Sequence, residues 1–321
     1  MKDDDLDRVR EIAEMSWRGQ GGAWMLEQRF GRMGGKSWLE WMWMDMLTKF
    51  KVRGENFVTT VDASVAGFAR FHLNHDMKVA TLGYNAVDPA FRGRSIGKNQ
   101  MAFIRDIFLK EKMQYAEVMV STDDGHAAAR HQYDNFGLKI IDIIEEYYGR
   151  IPDVIPMSVC EPIKLRKAMP SDYGFIKERL RVCLEAFHRY ALVEKEYGLI
   201  AKTPWLKRLW NEIEARLARP DAGIMLVYRD GEYLGLAGYN IHRETLVGQI
   251  SFFDVFRNDY ESDLAAIIEC MAEWFREYRL RLIQVSGLAA VSGERNIMPH
   301  LLQKYGFAEL TVATEYRFCK L

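Results

Sequence analysis

An internal repeat constrains the fold of this chain more than any other feature of its sequence. The segment FRGRSIGKNQMAFIRDIF, which begins at Phe91, corresponds to FRNDYESDLAAIIECMAEWF, which begins at Phe256. Further along each half, DNFGLKIIDII corresponds to QKYGFAELTVA. A chain of 321 residues has room for two domains of about 150 residues each. The repeat therefore predicts two similar domains, 1–152 and 161–321, joined by the proline-containing linker 150–161.

The order of helical and extended patterns is similar in the two halves. In the first half, helical patterns at 4–17 and 38–50 precede three antiparallel strands, followed by a helix, a strand, a helix and a last strand. The second half starts with a strand at 163–166 and ends with a closing strand at 309–318. This order predicts an α/β (α+β) fold, in which each domain has a mixed, mostly antiparallel sheet flanked by helices.

Composition argues against several classes of protein. The net charge of −1 provides no basic field for nucleic acid. No apolar run approaches the roughly 20 residues that span a bilayer, and the acidic N-terminus lacks a signal-peptide core. The four scattered cysteines and seven histidines show neither CxxC nor HExxH spacing. We therefore expect a cytoplasmic protein with no metal, no membrane contact and no nucleic-acid partner.

The stretch 86–98, AVDPAFRGRSIGK, passes from an apolar strand through a basic turn into a helix. At such a helix start, successive backbone N–H groups point outward at the positive end of the helix dipole. Glycine at 93 and 97 lets a ligand approach the backbone closely, and three side chains add positive charge: Arg92, Arg94 and Lys98. These features describe a cradle for a pyrophosphate.

Two common phosphate-binding loops do not fit this stretch. A Walker loop ends in Gly-Lys-Ser/Thr, whereas Gly97 and Lys98 are followed by Asn99, which has no hydroxyl group for a magnesium ion. A dinucleotide fold needs Gly-x-Gly-x-x-Gly after a strand, and that spacing is absent. The alternative to a phosphate-binding site is an ordinary strand–turn–helix junction that has no binding function.

The same stretch resembles the acyl-CoA loop of the GNAT family of N-acetyltransferases, Arg/Gln-x-x-Gly-x-Gly/Ala, usually preceded by Val-x-Pro-x-Tyr/Phe-Arg-Gly. The matching residues are Val87, Pro89, Phe91, Arg92, Gly93, Ile96 and Gly97. Ser95 stands where the family has its middle glycine, and serine keeps the backbone N–H but restricts the backbone. The resemblance implies that acetyl-CoA, or another acyl-CoA, binds at Ala86, Val87, Arg92, Gly93, Arg94, Ser95, Ile96, Gly97 and Lys98.

A later stretch, 123–138, resembles a second GNAT motif, Asn-x-x-Ala-x-x-Leu-Tyr-x-x-x-Gly-Phe. Four residues are in register, namely Ala129, Tyr133, Gly137 and Leu138, while His126 takes the Asn position and Gln132 the Leu position. The resemblance implies that Tyr133 is the general acid that protonates the departing CoA thiolate, and that His126 contributes to the cofactor site. A tyrosine that only packs on an amphipathic helix is the alternative.

The resemblance further implies that a primary amine of a small molecule or peptide attacks the thioester directly. A base is needed if the amine arrives protonated, and candidates are His72, Asn74, Tyr84, Asn85 and Glu117. Histidine titrates near neutral pH, which makes His72 the catalytic candidate, although a water chain is an alternative. The Trp- and Met-rich helix 38–50 predicts an acceptor with an apolar part, and the acceptor site would include Tyr84, Asn85 and Trp41.

The second copy lacks the features that carry this chemistry. Arg257 is followed by acidic residues rather than glycines, and Leu302 stands where the first copy has Tyr133. We therefore expect an N-acyltransferase in the first domain and a degenerate C-terminal domain, in a monomer or homodimer. Two alternatives are a non-catalytic acyl-CoA sensor or scaffold, and an aminoacyl-tRNA-dependent transferase, which would need a basic groove.

Overall fold

The computed structural model shows two compact units, each built from a sheet and flanking helices. One unit comprises Met1–Ile143 with Ala313–Leu321, and the other comprises Ile144–Val312. The predicted α/β (α+β) class, with helices flanking the sheet of each unit, is confirmed. The structure describes residues 1–51, 55–151, 163–186, 188–255, 260–286 and 310–321.

The first unit begins with helices and then alternates strands and helices. Its helices are α1 Leu6–Trp17, α2 Gly21–Phe30, α3 Trp38–Lys51, α4 Ile96–Lys110 and α5 Ala127–Phe136. Its first strands are β1 Glu55–Val61, β2 Ser64–Asn74, β3 Val79–Val87 and β4 Tyr115–Ser121, and β5 Lys139–Arg150 runs into the second unit. Short 3₁₀ turns precede α1 and α5, and helix α2 lies in the glycine-rich segment 18–36.

The second unit continues this pattern. Its helices are α6 Tyr173–Leu184, α7 Arg189–Tyr197, α8 Trp205–Leu217 and α9 Tyr260–Glu277. Its strands are β6 Ile163–Lys167, β7 Ala222–Arg229, β8 Glu232–His242, β9 Val247–Val255 and β10 Leu282–Ser286. The strand order is β5-β10-β9-β8-β7-β6, in which only the β9–β10 pair is parallel. Arg257 and Leu302, on which the predicted loss of activity rests, lie outside the described residues.

The last strand of the chain, β11 Leu310–Lys320, pairs with β4 in the first unit. The order there is β1-β2-β3-β4-β11, with β3 and β4 parallel and the other pairs antiparallel. The pairing of β5 with β10 is the counterpart of this exchange in the second unit. The domains 1–152 and 161–321 stay a prediction about chain organisation, since each unit takes a strand from the other half of the sequence.

Helices cover both faces of the sheet in the first unit. On one side, the α4/α5 face, Ile104, Phe108 and Phe136 pack on β2, β3 and β4. On the other, the α1/α3 face, Ile12 and Met46 pack against Phe68 and Ala86. Among the described side chains of the apolar helix α3, only Trp38 and Met46 are buried, and the other large apolar ones are half-buried. Among the described residues, no helix combines the length and apolar composition that a membrane crossing needs.

Candidate functional site

Strands β3 and β4 separate partway along their length. They pair in parallel only over residues 79–81 and 115–117, and their later residues are not paired with each other. Unpaired backbone N–H and C=O groups in such a gap are available to a ligand. The gap lies at the end of β3, where the turn and helix α4 begin.

A bulge in β3 decides which side chains face each side of this gap. The register with β2 shifts opposite Arg70, which faces two residues of β3, Gly83 and Tyr84. An extra residue of this kind reverses the alternation of side chains beyond it. As a result, Tyr84 packs on the α1/α3 face, and Asn85 points to the opposite face and contacts α5.

Tyr133 on α5 meets Asn85 where β3 is free of β4. The amide Nδ2 of Asn85 lies 2.9 Å from the Tyr133 hydroxyl oxygen and 3.3 Å from the carbonyl oxygen of Gly83. Of the two ends of the Asn85 amide, only the NH2 group can donate to a carbonyl oxygen, so the amide nitrogen faces both oxygens. Asn85 therefore donates to Tyr133, and the Tyr133 O–H bond is left to donate to another group.

Burial keeps this phenol protonated. Tyr133 is 4% exposed, and desolvation raises its pKa, while the hydrogen bond from Asn85 and the positive charge of Arg317 act in the opposite direction. The net direction is upward, so Tyr133 carries its proton at neutral pH. A neutral phenol with an available O–H bond is a proton donor.

The turn between β3 and α4 is exposed and basic. Gly93 has φ 78°, and Ser95, just before α4, is left-handed, with φ 58° and ψ 14°. Ser95 forms no side-chain cap, so the first-turn amides of α4 have no side-chain acceptor there. Within the described part of the chain, the structure gives no ion pair to the side chains of Arg92, Arg94 and Lys98.

Replacing Ser95 by glycine is expected to stabilise the protein. A non-glycine residue in the left-handed region costs roughly 1 kcal/mol, and glycine removes most of that cost against a smaller loss in the unfolded state. We expect Ser95→Gly to raise the free energy of urea-induced unfolding by about 0.5 kcal/mol. Ser95→Ala is the control and should give no gain, because alanine keeps the strain; equal gains for both variants would contradict the interpretation.

Residues 9–138, which contain β3, the basic turn and Tyr133, match the family model for the acetyltransferase (GNAT) family. This segment belongs to the GNAT family. No curated protein sequence is significantly similar to the chain.

Solved GNAT structures match nearly the whole chain in fold. A GCN5-related N-acetyltransferase from Sphaerobacter thermophilus is 14% identical, with a TM-score of 0.62, and the match covers 99% of this chain and 93% of that one. A tandem GNAT protein from the clavulanic acid biosynthesis pathway, solved without acetyl-CoA, is 14% identical, with a TM-score of 0.57 and coverage of 99% and 96%. At these identities the likeness concerns the fold alone, and the chain shares the fold of these GNAT structures over nearly its whole length.

Two of the predicted cofactor-site residues have structural contacts of their own. A Cβ atom at Gly97 would lie 2.6 Å from Nε2 of Gln132, so a side chain at this position would displace the end of the Gln132 side chain on α5. His126 precedes α5, and its Nδ1 lies 2.9 Å from both carboxylate oxygens of Asp123. Burial favours a higher pKa for Asp123, but hydrogen bonds from Ser121 and His126 outweigh it and lower that pKa.

Two of the predicted acceptor residues, Tyr84 and Asn85, lie on opposite faces of the sheet. Tyr84 donates to Asp45 on α3, and Lys49 forms an ion pair with the same carboxylate at 2.7 Å. Burial, followed by the charge of Asp45, raises the pKa of Tyr84 far above its ordinary value, so Tyr84 does not serve as a base. Trp41 is half-buried in α3, whereas Asn85 faces Tyr133.

The α1/α3 face carries a polar row across three strands at the start of the gap. His72 lies opposite Thr81, and Thr81 lies opposite Glu117. His72 is exposed, while Glu117 is half-buried and accepts a hydrogen bond from Thr81 Oγ1 at 2.8 Å. The structure thus brings His72 and Glu117, two candidate bases, to one row, although on strands separated by β3.

Two residues of β11 that no sequence motif identifies also lie in the first unit. The Tyr316 hydroxyl donates to Oε2 of Glu117 at 2.7 Å, and Arg317 contacts helix α5 through Asp134. Neither residue belongs to the stretches 86–98 and 123–138 that resemble GNAT motifs, and both are about two hundred residues away from their partners along the chain. The only local signal is the strand pattern of 309–318. Among the described residues, no group of three His, Cys, Asp or Glu side chains is arranged to hold a metal ion.

Proposed function

We propose that the first unit transfers an acetyl group from acetyl-CoA to a primary amine of a small molecule or peptide, with Tyr133 as the general acid. GNAT membership supports acyl transfer in general. The observation that carries the finer proposal is the bond from Asn85 to Tyr133, since it leaves a buried, neutral phenol with a proton to give. A buried tyrosine that only packs also needs a hydrogen-bond partner, but here its oxygen accepts and its O–H bond stays available to donate.

The cofactor is proposed to lie along the gap with its pyrophosphate at the start of α4. The basic, exposed turn and the uncapped amides of α4 support this placement. The pantetheine arm would pair with the free edge of β3 near Ala86 and Val87. Gly93, Ser95, Ile96 and Gly97 would supply backbone contacts, and Arg92, Arg94, Lys98 and His126 would add polar ones.

The proposed reaction forms a C–N bond and breaks a C–S bond. The lone pair of the neutral amine attacks the thioester carbon, and a backbone N–H near Val87 stabilises the developing oxyanion. Collapse of the tetrahedral intermediate expels the thiolate, which takes the proton of Tyr133; water then returns a proton to the phenol. The amine loses its extra proton to a group on the α1/α3 face, Glu117 or His72, or to water.

Two measurements on the whole protein test this function. Acetyl-CoA at a hundred times its Kd should raise stability by about 2.7 kcal/mol, which appears as a clear rise in Tm. Free thiol should then appear when primary amines with apolar substituents are added. No rise in Tm would contradict cofactor binding. A rise in Tm without amine-dependent thiol release would favour the non-catalytic acyl-CoA sensor.

A further inference from the structure

The last strand of the chain reaches both sides of the proposed transfer site. It pairs with β4 from Thr314 opposite Ser121 to Lys320 opposite Tyr115. Successive side chains of a strand point to opposite faces of the sheet. Tyr316 therefore lies on the α1/α3 face, where it contacts Glu117, and Arg317 lies on the α4/α5 face, where it contacts α5.

Arg317 connects this strand to the helix that carries Tyr133. Its side chain is 4% exposed, and Nη1 donates to Oδ1 of Asp134, the neighbour of Tyr133, at 2.5 Å. The Nε atom donates to Glu315 at 2.6 Å, and Nη1 also approaches the carbonyl oxygen of Arg130 at 3.4 Å. A buried guanidinium held by two carboxylates fixes its neighbours in position.

Arg130 gives α5 a second attachment to the same region. Its Nη1 donates to the carbonyl oxygens of Ser121 and Asp123 at 2.8 and 2.6 Å, at the end of β4. The backbone N–H of Thr122, the residue after β4, donates to the carbonyl oxygen of Ala313 in β11 at 3.0 Å. Helix α5 is thus tied to β4 by Arg130 and to β11 by Arg317, and these ties set the distance of Tyr133 from the gap.

Tyr316 acts on the other face through Glu117. One carboxylate oxygen of Glu117 accepts from Tyr316 at 2.7 Å and the other from Thr81 at 2.8 Å. Two hydroxyl donors fix the orientation of the carboxylate and leave each oxygen a further lone pair. Glu117 lies at the last paired position of β3 and β4, so its remaining lone pairs lie beside the opening of the gap. A carboxylate so placed suits the ammonium group of an amine substrate.

We infer that the last strand completes the transfer site: Tyr316 positions Glu117 to bind the acceptor ammonium, and Arg317 positions the helix that carries Tyr133. This inference rests on the proposed function. It assigns the acceptor side to Tyr316 and the thiolate side to Arg317, so the two residues should affect different kinetic constants. Neither is a catalytic residue, since each acts through another side chain.

Steady-state kinetics of the full chain separate these roles. Tyr316→Phe should raise the KM of the amine about tenfold and leave the KM of acetyl-CoA unchanged, because it removes one hydrogen bond to a charged group. Its matched control is Tyr147→Phe, which removes a hydroxyl bonded to Glu145 at 2.5 Å in the second unit. The control should leave both KM values unchanged.

Arg317→Met should lower kcat about tenfold at an unchanged KM for the amine, because misplacement of the acid affects the transition state. Arg317→Lys should recover part of kcat by keeping one ion pair. Its matched control is Arg229→Met, which removes an ion pair with the buried Asp263 in the second unit. If Arg317→Met does not fold, Asp134→Asn replaces it, since the Asp134 side chain is 61% exposed.

The outcomes distinguish this inference from the proposed function. The inference is overturned, and the function stands, if the wild type is active but the variants behave like their controls. In that case Tyr316→Phe has the same KM values as Tyr147→Phe, and both Arg317→Met and Asp134→Asn have the same kcat as Arg229→Met. An equal rise in both KM values for Tyr316→Phe would also overturn its assignment to the acceptor side. A wild type that releases no thiol with any amine would overturn the function and, with it, the inference.

Discussion

Tyr133→Phe is expected to lower kcat about a hundredfold, the lower end of what a general acid contributes, with little change in the KM of acetyl-CoA. Phenylalanine keeps the ring of a side chain that is 4% exposed and removes only the hydroxyl group. Without that proton the thiolate must leave as an anion or take its proton from water. The rate of thiol release at saturating amine and acetyl-CoA measures the effect.

The control for this variant is Tyr148→Phe in the second unit. Tyr148 is also buried and bonds to Glu146 at 2.9 Å, so the same atom is lost from the second unit, whereas the chemistry is proposed for the first. Its kcat should be unchanged. Equal rates for the wild type and Tyr133→Phe would remove Tyr133 from the mechanism.

A second variant tests the direction of the hydrogen bond between Asn85 and Tyr133. In Asn85→Asp the introduced carboxylate accepts, so Tyr133 donates its proton to it instead of to the thiolate. The kcat should fall as it does in Tyr133→Phe. A rate unchanged by Asn85→Asp would show that the available O–H bond is not used.

Acidification is expected to destabilise the second unit through His188. This side chain precedes α7, is 3% exposed, and accepts from the backbone N–H of Tyr190. Burial, followed by the charges of Arg189, Arg208 and Arg216, lowers the pKa of His188 to about 3. Between pH 6.5 and that value, the unfolded chain binds a proton that the folded one does not, so stability falls as the pH falls.

A single titrating group sets an upper limit on how steeply the free energy of unfolding changes with pH. The free energy of unfolding should change by up to about 1.4 kcal/mol per pH unit in this window because of His188 alone. Urea unfolding at a series of pH values, followed by a probe in the second unit, measures it. His188→Asn keeps an acceptor at the helix start and removes the titration, so its slope should be smaller.

An exposed histidine provides the control for this experiment. His75→Asn changes a side chain in the first unit that is exposed to solvent, and the slope should stay as in the wild type. If His188→Asn and the wild type lose stability equally between pH 6.5 and 4, the neutral buried imidazole is not the source of the acid sensitivity.

The sequence by itself determined the local parts of this protein. Alternating valines predict a strand over 115–121, which is where β4 lies, and β3 leads into the basic turn and α4 as expected. Periodicity and turn chemistry act over a few residues, so they can be read from a short stretch. The motif that identifies Tyr133 can also be read from a short stretch, because it lies within residues 123–138.

Only the tertiary structure decided how these parts meet. The bulge opposite Arg70 turns Asn85 toward Tyr133, and no local sequence pattern predicts the extra residue in β3. The pattern of β11 predicts a strand but not its neighbour, since hydrogen-bonding edges of strands are alike and a partner is chosen by the packing of whole units. That choice brings Tyr316 and Arg317 to Glu117 and Asp134, about two hundred residues away along the chain.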